Sequence, residues 1–111
     1  MNLNERKIGD VAVIEITGRI DSVQAPKLHE NVAALVTAGQ RAVLLDLTKV
    51  EYISSAGFRV LLLLARQAGQ ASSRLALCGL SPKVRQLFDL GGFLDLFPIA
   101  STQEEGIAAT R

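Results

Sequence analysis

Residues 42–70 read AVLLDLTKVEYISSAGFRVLLLLARQAGQ, and this stretch decides the fold. Its first part, residues 42–47, is a nearly continuous apolar run, which is typical of a strand covered on both faces. A polar turn is predicted at Thr48-Lys49. From residue 54 to about residue 70, apolar side chains recur at helical spacing. The stretch therefore predicts a buried strand followed by a helix that packs on the sheet.

The flanking sequence continues this alternation of strands and helices. Further strands are predicted at residues 11–16, 75–78 and 97–99, with an antiparallel edge strand at about 3–7. The strand at 11–16 is expected to end in a turn at Thr17-Gly18. Further helices are predicted with Pro26 close to the start and Gly39 just past the end, from Pro82 to Leu90, and after Thr102. We therefore expect an α/β fold with a mixed, mostly parallel β-sheet of four to five strands and about four helices.

The composition fits one globular domain that spans residues 1–111. A net charge of +1 and an aromatic content of 5% leave no basic stripe and few stacking side chains, so nucleic-acid binding is not expected. No apolar run approaches the roughly 20 residues that span a bilayer, so membrane insertion is not expected either. The single Cys78 cannot form an internal disulfide and is expected to be a buried core residue. These features predict a cytoplasmic protein.

The helix predicted at 54–70 has two different faces. The face expected to pack on the sheet carries Gly57, Phe58, Val60, Leu61, Leu64, Ala65 and Ala68. The opposite face carries Ser55, Arg59, Leu63, Arg66 and Gln70, with Leu62 at its margin. Arginines around an apolar anchor are favoured in partner interfaces, whereas a single exposed leucine is also common on ordinary surfaces. The pattern alone leaves both interpretations open.

Two serines stand at the start of this helix. In one interpretation Ser54 or Ser55 only caps the helix, which contributes about 1 kcal/mol and needs no further function. In the other, Ser55 is a phosphorylation site, with Ser54 as the second choice. A phosphate adds about −1.5 to −2 charges at neutral pH, and the free N–H groups and dipole of the helix N-terminus would tolerate it. Phosphorylation would then leave the fold intact and change only what can dock.

Three segments resemble the signature of the STAS-domain anti-sigma factor antagonists. They are Gly18-Arg19-Ile20-Asp21, residues 46–62 with Ser54-Ser55-Ala56-Gly57 at their centre, and residues 77–92 from Leu77-Cys78-Gly79 to Gly91-Gly92. The matches are spread over about residues 8–107, so the resemblance covers nearly the whole chain. It implies a single STAS domain over residues 1–111.

The resemblance also implies a regulatory cycle. The unmodified antagonist binds an anti-sigma factor, a serine kinase of the histidine-kinase-like ATPase type, and so releases a sigma factor. The kinase phosphorylates the antagonist, and a PP2C-type phosphatase resets it. The family's modified serine precedes a small or hydroxyl residue and then glycine, which carries over to Ser55 before Ala56-Gly57. Many antagonists have Asp immediately before that serine, and here that position is Ser54.

The residues expected to bind the partner form one set around this serine. They are Asp21, which matches a family acid close to the serine, together with Ser54, Ser55, Ala56, Arg59, Leu62, Leu63 and Arg66. A rival interpretation makes the chain a constitutive STAS scaffold subunit of a lipid-transport ABC system or a stressosome-type assembly. Such a scaffold would bind its neighbours through the same helix, whatever the state of Ser55.

An enzymatic role is not expected. The only histidine, His29, has charged neighbours on a predicted helix, which favours a surface position over a catalytic one. Asp21, Asp46 and Ser55 would converge if all three lay at strand ends, where α/β folds bind ligands, but no positioned base accompanies the serine. No metal-ligand spacing and no phosphate-loop motif are present, so we expect no metal and no cofactor.

Overall fold

Five strands form one sheet in the computed structural model, which describes all of residues 1–111. The strands are β1 (Asn2–Ile8), β2 (Val11–Ile20), β3 (Ala42–Ile53), β4 (Arg74–Cys78) and β5 (Ile99–Ala100). They lie in the sheet in the order of the chain. β1 pairs antiparallel with β2, and every other neighbouring pair is parallel. The predicted α/β fold with a mixed, mostly parallel sheet is confirmed.

Four α-helices connect or follow the strands. They are α1 (Ala25–Thr37), α2 (Ser55–Gln70), α3 (Pro82–Leu90) and α4 (Gln103–Ala109), and a 3-10 turn spans Leu94–Leu96. α2, α3 and α4 each begin after a Ser or Thr whose side-chain oxygen accepts a backbone N–H three residues on, which satisfies one free donor of the first turn. None of these helices combines the length and the apolar composition that a membrane-spanning helix needs.

The larger core lies between one face of the sheet and helices α1, α2 and α3. It contains 22 buried residues, against six on the other face, so most of the apolar stabilisation comes from this side. Leu61 and Leu64 of α2 are fully buried there, together with Gly57, Phe58 and Ala68. The predicted inward face of the helix is confirmed for these five residues, whereas Val60 and Ala65 of that face are half-buried and pack against the core.

The second face of the sheet carries the short helix α4. Gly106 allows this helix to approach closely, because a Cβ at that position would lie 2.7 Å from a methyl carbon of Leu44. Beneath it Cys78 is fully buried, as predicted. Burial is the main reason that the pKa of the Cys78 thiol is raised to about 12, and the charges of Asp46 and Glu15 add to the effect.

Two predicted turns are wrong, because both strands run on through them. β2 does not end at Thr17-Gly18 but continues to Ile20. Gly18 adopts φ +103° and stays paired within the strand. The register with β3 shifts on both sides of Thr17-Gly18, and each time the extra residue lies on β3, so β2 passes through the glycine opposite two bulges of its partner. Thr48-Lys49 likewise lies inside β3, and the pairing resumes there as Thr17 meets Lys49.

Candidate functional site

Ser54 is the N-cap of α2. Its backbone is extended, and its hydroxyl oxygen accepts a hydrogen bond of 3.2 Å from the backbone N–H of Gly57. Its own N–H donates to the carbonyl oxygen of Ile20 at 2.9 Å. The hydroxyl of this half-buried residue therefore caps the helix, and its backbone N–H joins the start of the helix to the sheet.

Ser55 is the first residue of α2 and is exposed. Its hydroxyl makes no hydrogen bond within the chain, although the side chain lines an open groove. The two serines are thus different in kind: the Ser54 hydroxyl is committed to the cap, whereas the Ser55 hydroxyl is available to another molecule. The cap interpretation applies to Ser54 and the presented hydroxyl is that of Ser55.

Gly57 fixes the position of these serines. A Cβ at this residue would lie 2.8 Å from both the carbonyl oxygen of Ile20 and the Cγ2 of Ile53, closer than real side chains approach. The absence of a side chain therefore lets the first turn of α2 lie directly on the ends of β2 and β3. The same contact brings α2 next to the loop that begins with Asp21.

Asp21 organises the loop between β2 and α1. Its Oδ1 accepts hydrogen bonds from the backbone N–H groups of Val23 at 3.1 Å and Gln24 at 2.9 Å. Val23 follows on this loop with 77% of its surface exposed. Asp21 thus shapes a loop that presents an exposed apolar side chain.

The outer face of α2 has the mixed character that the sequence predicts. Arg59, Leu62, Leu63 and Arg66 line one open groove. Leu63 is 38% exposed and the two arginines are exposed, while Leu62 is half-buried. Ala56 is half-buried and packs against the core, so its side chain does not project toward a partner. The structure therefore places the two arginines and Leu63 on one free surface.

A neighbouring groove joins this face to the end of α3. It is lined by Ser55, Phe58, Arg59, Leu62 and Phe93. Phe93 stacks on Phe58 with ring centroids 4.6 Å apart, after Gly92 at φ +73° has turned the chain back. Phe93 is not among the residues predicted from the sequence, where its only local signal is an aromatic residue directly after a Gly-Gly helix terminator.

Asp46 does not meet Ser55 or Asp21. It lies seven residues before the end of β3, roughly 23 Å along the strand, and is buried beneath α4. Its Oδ1 accepts from the N–H and hydroxyl of Thr48 at 2.9 and 2.5 Å, and its Oδ2 accepts from Gln103 at 2.6 Å. Burial alone would raise the pKa of Asp46, but these hydrogen bonds outweigh it and hold the pKa below its usual value.

His29 has a structural contact. It is half-buried, and its Nε2 lies 3.1 Å from the Oε1 of Gln67, so it joins α1 to α2. His29 was expected at the surface, and the structure shows it only partly exposed there, in contact with a neighbouring helix. No group of three or more His, Cys, Asp or Glu side chains is arranged to hold a metal ion.

Comparison with known proteins gives consistent matches over nearly the whole chain. The STAS domain family model matches residues 2–106. The chain is 43% identical over 109 residues to BtrV of Bordetella bronchiseptica, whose name assigns it to the anti-sigma factor antagonists, and the match covers 98% of this chain and 94% of BtrV. It is 29% identical to the anti-sigma-B factor antagonist of Listeria monocytogenes, covering 95% of this chain and 91% of the relative.

Comparison with solved structures gives the same family. A crystal structure of an anti-sigma factor antagonist from Mycobacterium paratuberculosis superposes with a TM-score of 0.89 at 26% identity, covering 99% of this chain and 93% of the other.

Proposed function

Because this chain belongs to the STAS domain family of anti-sigma factor antagonists, we propose that it binds an anti-sigma factor that is a serine kinase, and so releases a sigma factor. In this proposal phosphorylation of Ser55 by the same kinase ends the binding. The kinase has the histidine-kinase-like ATPase fold, a PP2C-type phosphatase removes the phosphate, and the cycle runs in the cytoplasm. The chain itself catalyses no reaction and needs no cofactor.

The observation that carries the proposal is the free hydroxyl of Ser55 at the edge of a mixed apolar and cationic surface. Arg59, Leu63 and Arg66 lie on the same side of α2 and are exposed. An arginine beside an apolar anchor is the composition favoured at the centre of partner interfaces. A kinase that docks on this face has the hydroxyl that it modifies within the contact area.

The geometry favours Ser55 over Ser54 as the modified residue. The Ser54 oxygen already accepts the N–H of Gly57 and is half-buried, so a kinase would have to break the cap to reach it. The Ser55 oxygen has no such bond and is exposed. Ser54 also supplies the capping function that an aspartate at this position would provide, so its replacement of the family's aspartate preserves the helix start.

A phosphate on Ser55 would affect docking more than folding. The side chain points away from the core, and the first turn of α2 offers a positive dipole end that accepts a negative charge. A partner surface packed against Ser55 would instead lose contact and meet an added charge of about −1.5 to −2. A loss of about 3 kcal/mol in binding corresponds to more than a hundredfold in affinity.

The experiment has two parts. The wild type, Ser55→Ala and Ser55→Asp are immobilised and exposed to lysate of the native cells, and captured proteins are identified by mass spectrometry. We expect a kinase with an ATPase domain to be retained by the wild type and Ser55→Ala but not by Ser55→Asp. The captured kinase is then incubated with each chain and ATP, and intact masses are measured.

The mass measurement distinguishes the two serines. We expect one phosphate on the wild type and on a Ser54→Ala control, and none on Ser55→Ala. A phosphate gain by Ser55→Ala would move the site to Ser54 or elsewhere. Equal retention of the same partners by all chains, with no phosphate gain, would favour the constitutive scaffold and overturn the switch.

A further inference from the structure

Ser55 and Arg59 are one helical turn apart on the same face of α2. Both are exposed and both line the groove that also contains Leu62 and Phe93. Residues four apart on a helix are surface neighbours, with Cβ atoms about 5 to 6 Å from each other. A group added to the Ser55 oxygen therefore extends toward the space that the Arg59 side chain can reach.

Arg59 is uncommitted in the unmodified protein. The one salt bridge of the chain joins Arg41 to Asp10, and no side-chain hydrogen bond involves Arg59. Among the other arginines, Arg19 lies over the ring of Tyr52, with 4.5 Å from its guanidinium carbon to the ring centroid. Arg59 is therefore a cation that can be offered to a partner, or taken up by a new anion on its own helix.

We propose that the phosphate on Ser55 is bound by the guanidinium of Arg59 on the same helix, an inference that rests on the proposed phosphorylation of Ser55. Phosphorylation then acts twice on the docking surface. It adds a dianion at the edge of the interface, and it withdraws Arg59 from contact with the partner. The same pairing screens the new charge, so the free phosphorylated chain remains compact and well folded.

The direction of the pair supports this assignment. An anion placed four residues before a cation is the favourable order on a helix, because each charge then also faces the appropriate end of the helix dipole. Arginine also matches phosphate with two parallel N–H donors, which lysine cannot do. Arg66 is also exposed but lies 11 residues after Ser55, about 16 Å along the helix axis, which is too far to pair.

The test places phosphoserine at position 55 by genetic encoding and follows the phosphate by ³¹P NMR as the pH is raised from 4.5 to 8. The wild type, Arg59→Gln, Arg59→Lys and Arg66→Gln are compared. Asp21, on the loop after β2, carries a like charge and is present in all four chains, so differences between them report the arginines.

A paired guanidinium stabilises the dianion and lowers the pKa of the phosphate from its usual value near 6. We expect Arg59→Gln to raise that pKa by about 0.1 to 0.4, Arg59→Lys to raise it less, and Arg66→Gln to leave it unchanged. The difference should shrink near 1 M salt, where charges are screened within about 3 Å.

Equal phosphate pKa values in the wild type and Arg59→Gln would overturn the pairing. That result would not contradict the phosphorylation switch, because an added anion can repel a partner without pairing with a residue of its own chain. Conversely, because the phosphoserine is installed during synthesis, a kinase that ignores Ser55 would overturn the proposed function without changing the NMR result.

Discussion

The backbone N–H of Ser54 donates a hydrogen bond of 2.9 Å to the carbonyl oxygen of Ile20, which joins the start of α2 to the end of β2. The same carbonyl oxygen lies against Gly57, where it leaves no room for a side chain. The exposed Ser55 is thus held between two residues that are both fixed to the sheet. A rigid frame of this kind allows a small chemical change at Ser55 to alter docking alone.

Gly57→Ala should destabilise the protein. The added methyl would meet the Ile20 carbonyl oxygen and the Ile53 side chain at 2.8 Å, and the backbone oxygen cannot move aside cheaply. Overpacking of this kind costs about 1 to 3 kcal/mol, which exceeds the gain of up to about 1 kcal/mol from replacing glycine in a helix. Urea denaturation would give the change in the free energy of unfolding.

Gly69→Ala is the matched control on the same helix. No atom lies within 4 Å of a Cβ placed there, so only the helix propensity changes. We expect it to raise the free energy of unfolding by about 0.5 to 1 kcal/mol. If both variants shifted stability in the same direction and by the same amount, the close contact at Gly57 would have no energetic importance.

Ser54→Ala and Ser55→Ala should differ in stability. Loss of the Ser54 cap costs about 1 kcal/mol, because the N–H of Gly57 loses its acceptor. Ser55→Ala removes a hydroxyl without a partner and should change the free energy of unfolding by less than about 0.5 kcal/mol. Thermal unfolding of both variants, followed by circular dichroism, measures this; a more damaging Ser55→Ala would show that the cap was assigned to the wrong serine.

The elements around α2 are predictable from sequence, because their signals are local. The apolar spacing of α2, the serine cap before it and the proline and glycine boundaries of α3 all follow from residues close together in the chain. The continuations of β2 and β3 through the predicted turns cannot be predicted from local sequence. A glycine such as Gly18 looks like a turn, and only its pairing with β3, which bulges on both sides of it, shows that the strand continues.

The residues of the site also divide into those that local sequence predicts and those that it does not. Ser55, Arg59, Leu63 and Arg66 share a face by helical periodicity alone, and the structure leaves that face free. Phe93 reaches the groove because the chain turns back after α3; Gly91-Gly92 signals the end of that helix but not the direction in which the chain then runs. Asp46 is misleading in sequence, since its place in the signature stretch does not reveal that it is buried beneath α4.

Asp46 should make the free energy of unfolding decrease at acidic pH. Its pKa in the folded state lies below the unfolded value of about 3.9, so its contribution is present above that pH and is lost as the pH falls through the folded pKa. Asp46→Asn should lower the free energy of unfolding at pH 7 by about 1 to 2 kcal/mol, because it weakens hydrogen bonds to a charged acceptor.

The pH profile separates the charge from the packing. Between about pH 5 and pH 2.5 the wild type should lose more stability than Asp46→Asn, so the two curves should approach each other in urea denaturations across this range. Curves that remain parallel would show that the carboxylate makes no net contribution through its charge.

Cys78 should report on the attachment of α4. Its thiol is fully buried and its pKa is raised to about 12, so at pH 8 the native chain should react with Ellman's reagent at least tenfold more slowly than the chain in guanidinium chloride. Gln103→Ala should accelerate the native reaction, because it removes the hydrogen bonds from α4 to Asp46 and Glu15. Equal native and denatured rates would contradict the burial.

The most direct test of the central claim measures the affinity of the captured kinase for the unmodified chain and for the chain with phosphoserine at 55, by isothermal titration calorimetry, alongside the melting temperature of each. We predict a loss of affinity of more than about a hundredfold with melting temperatures that agree within about 2 °C. Equal affinities for the two chains, or a loss of affinity accompanied by a collapse of the melting temperature, would contradict a switch that acts on docking alone.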